Sequence, residues 1–201
     1  MARVSQDHLD ARRQQILAAA RRCFVRNGFH ATSMQDVLSE AELSAGGVYR
    51  YFRSKDDIIA AIADDTLAEV QNAFDAAFDA EAPPPLEEVL GRVFASLERL
   101  EATQDLAKLA VQVWGEAQRS PSFSARARDT FSSVQRMLVG LIAAYQARGL
   151  VTRDIPADHM ARVLSSLLFG FLVQHALLDG IDAASLRSGL RAFMLRAGAP
   201  R

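Results

Sequence analysis

The stretch from Thr32 to Lys55, reading TSMQDVLSEAELSAGGVYRYFRSK, constrains this chain more than any other. It reads as a short helix, a turn, a second short helix and the cap of a third. The second helix carries Gly46 and Gly47 where a helix built for stability would carry Ala or Leu, at roughly 1 kcal/mol each. Tyr49, Arg50 and Tyr51 then follow in a row. A helix start with exposed backbone, followed by aromatic and basic side chains, suits docking against a phosphate-lined groove. That is the logic of a helix-turn-helix DNA reader.

The end signals agree. Thr32 and Gln35 have capping-box spacing before an apolar face of Met34, Val37, Leu38 and Ala41. Ser44 is a natural N-cap for the next helix, whose Val48 and Phe52 lie four apart. Ser54 caps a third with Asp57 completing its box, and Asp56 and Asp57 complement that helix's positive end. Upstream, residues 9–26 form an amphipathic helix with Ile16, Leu17, Ala20 and Phe24 on one side. Asn27-Gly28 ends it, since both residues tolerate a left-handed C-cap.

From Leu43 to Phe52, followed by Ser54-Lys55, the chain resembles the signature of the tetracycline-repressor (TetR) family of bacterial regulators. That signature runs roughly Val-Ser-x-Gly-x-Leu-Tyr-x-His/Tyr-Phe-x-Ser-Lys. The likeness extends upstream through Gly28-Phe29, Ala31-Thr32 and Asp36-Val37. The chain departs from the pattern at its turn, where Ala41-Glu42-Leu43 replaces the usual Ala-Gly-Val, and at Gly47, where the family often has Thr. The resemblance implies an all-α protein of about nine helices. It places a helix-turn-helix DNA-binding domain at residues 8–55 and a helical ligand-binding and dimerisation domain at 56–201. It implies a homodimer paired through residues 157–196, bound to a near-palindromic double-stranded operator and released by a small-molecule inducer. Ser44, Ala45, Gly46 and Gly47 would bring the reading helix close to base edges. Tyr49, Tyr51 and Lys55 correspond to phosphate-contacting positions, and Thr32, with Ser33 beside it, caps the helix that abuts the backbone. Arg50 is the long donor on the reading helix, a candidate for base or phosphate contact. Tyr49 and Phe52 also suit the module's own core.

Net charge of −1 hides an asymmetry that fits a DNA binder. Residues 1–55 hold nine Lys or Arg against five Asp or Glu, and residues 56–201 hold fourteen against nineteen. A basic module on an acidic body is the expected electrostatic footprint. The single Cys23 excludes an internal disulfide, and its place beside Phe24 predicts a buried thiol. The polar start of the chain shows no secretory signal. The apolar run Met160–Leu178 is broken by Arg162, Ser165, Ser166, Gln174 and His175, short of a clean membrane span. A cytoplasmic protein is expected.

Helical periodicity continues through the body, where no run reads as a strand. A long helix from Lys55 to about Ala80 ends at Pro83-Pro84-Pro85, since prolines cannot continue it. The next carries Leu86, Leu90, Val93, Leu97 and Leu100, and another Leu106, Leu109, Val113 and Ala117. A long helix through Phe131, Leu138, Leu141 and Tyr145 ends at Arg148-Gly149. Pro156 starts a helix apolar around most of its circumference, which requires cover on several sides. Its small Ser165, Ser166 and Gly170 would admit a second helix closely. The last helix, capped by Asp182, shows Leu186, Leu190, Phe193 and Met194.

The four histidines are scattered without ligand spacing to one another or to Cys23, and no phosphate-cradling loop is present. Neither an enzyme nor a cofactor or metal site is expected. Polar residues such as Gln112, Glu116, Gln174 and His175 on apolar helices are either satisfied core groups or anchors of an apolar small-molecule site. Phe94, Trp114, Phe131, Phe169 and His175 are the expected lining of such a site, as bulky or polar groups on the helices the resemblance assigns to it.

Overall fold

The computed structural model describes residues 6–78 and 83–197, and at 73, 74, 76–78 and 195–197 only the backbone. The expected end of the long helix near Ala80 lies outside the described residues. Among the described residues there are nine helices and no strand. They are α1 (Gln6–Asn27), α2 (Met34–Ala41), α3 (Ala45–Tyr49), α4 (Lys55–Phe78), α5 (Leu86–Gln104), α6 (Leu106–Ala117), α7 (Pro121–Ala147), α8 (Ala157–Leu177) and α9 (Ala183–Ala197). The chain forms two compact units. The first comprises the residues up to Asp65 together with Lys108–Arg126, and the second Thr66–Ala107 together with the residues from Ala127 onward. The unit boundary therefore falls inside α4, and α6 with the start of α7 joins the N-terminal helices.

In the first unit, Ile16, Leu17 and Phe24 of α1, Val37 of α2, Val48 of α3 and Ile58 of α4 are fully buried in one apolar cluster. Leu109 and Phe123 from the later segment complete it. Burying side chains of this size is worth about 1.5–3 kcal/mol each, which is what holds such short helices in place. Gly28, at φ +80°, closes α1 by donating its N–H to Phe24 O at 2.8 Å.

The caps correct one expectation. Ser33, not Thr32, is the N-cap of α2. Its Oγ accepts from Asp36 N while the Asp36 carboxylate accepts from Ser33 N, so the box is Ser33–Asp36, one residue on from Thr32–Gln35. Thr32 is 1% exposed, and its hydroxyl turns back to α1 and the following turn, reaching Gly28 O at 2.8 Å and Cys23 O at 3.2 Å. Ser44 caps α3 by accepting from Gly47 N. Ser54 Oγ accepts from Asp57 N, but the Asp57 carboxylate accepts from Arg53 N rather than from Ser54. Between α2 and α3, Glu42 takes the left-handed conformation at φ 55°, ψ 41°.

In the second unit, α5 packs along α9. Gly91 makes that approach possible, because a Cβ there would sit 2.5 Å from Cδ of Arg187. Leu138, Leu141, Ile142 and Tyr145 of α7 are buried, and the Tyr145 hydroxyl donates to Pro84 O. Asp182 caps α9 by accepting from Ser185 N at 2.7 Å. Helix α8 buries Leu164, Leu168, Phe171 and Leu172 but leaves Val163, Val173 and Leu177 exposed, and Phe193 of α9 is 82% exposed. Within one chain the apolar circumference of α8 is only partly covered.

Candidate nucleic-acid interface

Helix α3 is five residues long and held by one buried side chain, Val48. Everything else on it faces outward to some degree. Ser44, Ala45, Gly46 and Arg50 are exposed, Tyr49 is 47% exposed, and Gly47 and Tyr51 are half-buried. A Cβ added at Gly46 would meet nothing within 4 Å, and one at Gly47 only Ser44 Oγ at 3.4 Å and Leu43 Cβ at 3.7 Å. Neither glycine has a positive φ. The unit's own packing therefore does not require them, and what they supply is a low, open outer surface. Ser33 at the start of α2 is exposed as well.

Lys55 turns its side chain onto the protein's own backbone. Its ammonium donates to Thr32 O at 2.6 Å, to Phe29 O at 2.9 Å and, more weakly, to His30 O at 3.5 Å. It also lies over the Phe29 ring, 4.6 Å from the centroid. Its three N–H groups thus meet the carbonyls of the α1–α2 turn. Thr32, buried and bonded inward, likewise holds that turn rather than presenting a side chain.

The remaining cations divide into two groups. Arg22 and Arg26 both hold Glu40, at 2.6 and 3.0 Å, and Arg13 holds Asp65 at 3.0 Å. Hydrogen bonds from Arg22 and then Arg26 hold the Glu40 carboxyl below its ordinary range. The Ser33 backbone N–H does the same for Asp36. Arg50 and Arg53, by contrast, have no carboxylate within ion-pair distance among the described residues. They are free to meet a phosphate, as is Arg12 of α1, which reaches the neutral Gln15 Oε1 at 2.8 Å. Cys23 is buried, and burial followed by the Glu40 charge pushes its thiol up, as an inert packing residue requires.

The later segment of the first unit supports this surface from behind, which the sequence did not signal. His30 Nε2 meets the Glu116 carboxylate of α6 at 2.7 Å, and Gln112 Nε2 donates to Phe24 O at 3.2 Å. The Phe29 ring stands edge-on to Phe123, centroids 4.6 Å apart.

The five expected pocket residues fall in both units. Trp114 belongs to the first unit and the other four to the second. Phe94 and His175 each pack against Phe171, at 5.2 and 4.5 Å between centroids, and His175 Nε2 is buried with no hydrogen-bond partner. Phe131 and Phe169 pack together, 4.1 Å between centroids, at a groove between α7 and α8 whose charged members are Arg136 and Arg162.

A short exposed helix on a buried three-helix base, with free arginines at its end, defines a helix-turn-helix DNA-binding regulator. Residues 16–62 match the family described as bacterial regulatory proteins, tetR family, and residues 85–197 match the BetI-type transcriptional repressor C-terminal family. The chain belongs to the tetR family of bacterial regulatory proteins and is a DNA-binding transcriptional repressor of that family, not an enzyme. The HTH-type transcriptional regulator UidR of Escherichia coli K12 is 29% identical over 186 residues, covering 90% of each chain. The solved structure of Salmonella enterica GusR is 26% identical with a TM-score of 0.75, covering 95% of this chain and 98% of that one. A regulator from Saccharomonospora viridis, solved in complex with choline, is 25% identical with a TM-score of 0.70, covering 92% and 96%.

Proposed function

We propose that this protein represses transcription in the bacterial cytoplasm as a homodimer on a near-palindromic double-stranded operator, and that a small-molecule inducer releases it. The observation that carries the DNA-binding part is the open outer surface of α3. Ser44, Ala45, Gly46 and Gly47 let its backbone approach base edges in the major groove, with Tyr49, Arg50 and Tyr51 at its end for phosphate or base contact and Ser33 beside them at the start of α2. Lys55 and Thr32 serve the same site by fixing the turn before α2.

The partly covered α8 supports the homodimer through residues 157–196. Leu177 is 68% and Val163 62% exposed. By length and composition α8 could also cross a membrane. Arg162, His175 and the buried Leu164, Leu168 and Phe171 on the same helix favour a second copy of the chain as its cover instead. Two reading heads on a dimer must meet grooves about 34–36 Å apart or a multiple of that distance. A ligand that favours another separation lowers affinity, and a roughly tenfold loss needs about 1.4 kcal/mol of differential binding.

Selection of bound fragments from the source genome tests this reading. It should return short sites with two-fold symmetry, and their occupancy should fall for Arg50→Ala. Fragments without symmetry, or no enrichment at low salt, would overturn it.

A further inference from the structure

We infer that the groove between α7 and α8 binds a small organic anion, a carboxylate carried on an aromatic or medium-chain aliphatic body. This deepens the reading of the protein as ligand-responsive and rests on it for its regulatory meaning.

The groove has a volume of about 460 Å³, within the roughly 300–1,000 Å³ of small-molecule sites. Helix α7 contributes Phe131, Ser132, Gln135 and Arg136. Helix α8 contributes Arg162, Ser165 and Phe169, one face at i, i+3, i+7. The apolar element is the Phe131–Phe169 pair, with ring centroids 4.1 Å apart, and Phe131 is 38% exposed. The charged element is Arg136 and Arg162, and no lining residue is acidic. Among the described residues neither guanidinium has a carboxylate within ion-pair distance, and Arg136 spends one N–H on Ser133 Oγ at 2.9 Å. A guanidinium offers five donors in a planar fork that matches a carboxylate. The two helices are also tied together beside the groove, where Gln135 Nε2 donates to Asp158 O at 3.1 Å.

An anion with an apolar body uses both elements at once. An aromatic pair alone would suit a quaternary ammonium, but the two guanidinium groups that line the same groove oppose a cation. An inorganic anion alone would leave the phenyl rings in water. Val163 and Leu177, the most exposed apolar residues of α8, lie roughly 60–100° round the helix from Arg162.

The test is calorimetry on the full-length protein with phenylacetate and octanoate, their uncharged amides and choline. Both carboxylates should bind at least about tenfold more tightly than their amides, a difference of about 1.4 kcal/mol. Arg136→Gln and Arg162→Gln should each weaken the carboxylates about tenfold with thermal midpoint and dimer mass unchanged. Phe131→Ala should weaken acid and amide alike. No carboxylate binding up to about 5 mM, binding indifferent to both arginines, or a preference for choline would overturn the inference. Operator affinity is measured separately. Arginine-dependent carboxylate binding that leaves DNA affinity unchanged keeps the anion site and sinks induced release. Release by another molecule, with no carboxylate binding, keeps induced release and sinks the anion site.

Discussion

The Lys55 ammonium at the start of α4 donates to the Thr32 carbonyl oxygen at 2.6 Å, across 23 residues of chain. That bond makes the entry to α4 a clamp on the turn that launches α2. Lys55→Met should therefore cost about 1.5–3 kcal/mol in urea unfolding, the range for hydrogen bonds to a charged group. It should leave the salt dependence of DNA binding nearly unchanged. Arg50→Ala should do the reverse, keeping stability and flattening the salt slope by about one unit. A Lys55 variant of full stability and reduced salt slope would return Lys55 to the phosphate-contacting set.

Gly46→Ala should separate folding from function. A methyl there meets nothing within 4 Å inside the protein. Helix propensity predicts a gain of about 0.5–1 kcal/mol in thermal unfolding. DNA affinity should fall, because the methyl stands on the surface that approaches the bases. Unchanged affinity would place the groove against some other part of α3.

Glu42 holds φ 55° at the turn between α2 and α3. The left-handed region costs a side-chain-bearing residue roughly 1–2 kcal/mol. Glu42→Gly should relieve part of that and raise stability by about 0.5–1 kcal/mol. A lower melting temperature would show that the Glu42 side chain compensates for its backbone.

Acid should loosen the first unit through two carboxylates. Asp36 is held below its usual 3.8 by the Ser33 N–H, and Glu40 below its usual 4.5 by Arg22 and then Arg26. A lowered folded-state value means stability present above the ordinary value and lost as pH falls through the folded one. Urea midpoints should fall below about pH 4.5, and the fall should be shallower for Glu40→Gln. Identical profiles would mean that the Glu40 pairs do not contribute.

Gly170→Leu should fold but fail to dimerise. The nearest atom to an added Cβ is Gln174 Nε2 at 4.0 Å, so the single chain accommodates the first carbon. Sedimentation should show dimer for the native chain and monomer for the variant. A fully dimeric variant would move the interface away from that face of α8.

The helices were legible because their signals are local. Ser44 before α3, Gly28 after α1 and Pro156 before α8 each act on the backbone within a turn. The all-α fold and the exposed α3 follow from such signals. The Ser33 box was missed by one position because Thr32 and Ser33 both suit an N-cap. Only the tertiary bonds of Thr32 to Cys23 O and Gly28 O decide between them. The bonds of Lys55 to the α1–α2 turn are hidden for the same reason, since no spacing rule says which way an ammonium turns. The aromatic residues of the second unit were found individually. Their grouping into Phe94–Phe171–His175 and Phe131–Phe169 depends on helix packing that sequence does not state.

The first unit is discontinuous, and this sets an order on its birth. Its N-terminal part ends at Asp65, but Leu109 and Phe123, which close its core, lie in Lys108–Arg126. At roughly 5–20 residues per second, a ribosome that has made Asp65 needs about 3–12 s more to reach Arg126. Through that interval the nascent reading head carries an apolar face with no lid. A fragment ending at Asp65 would carry that face permanently. The smallest piece of this chain able to seal its own DNA-reading module is therefore one that extends through α6 into α7.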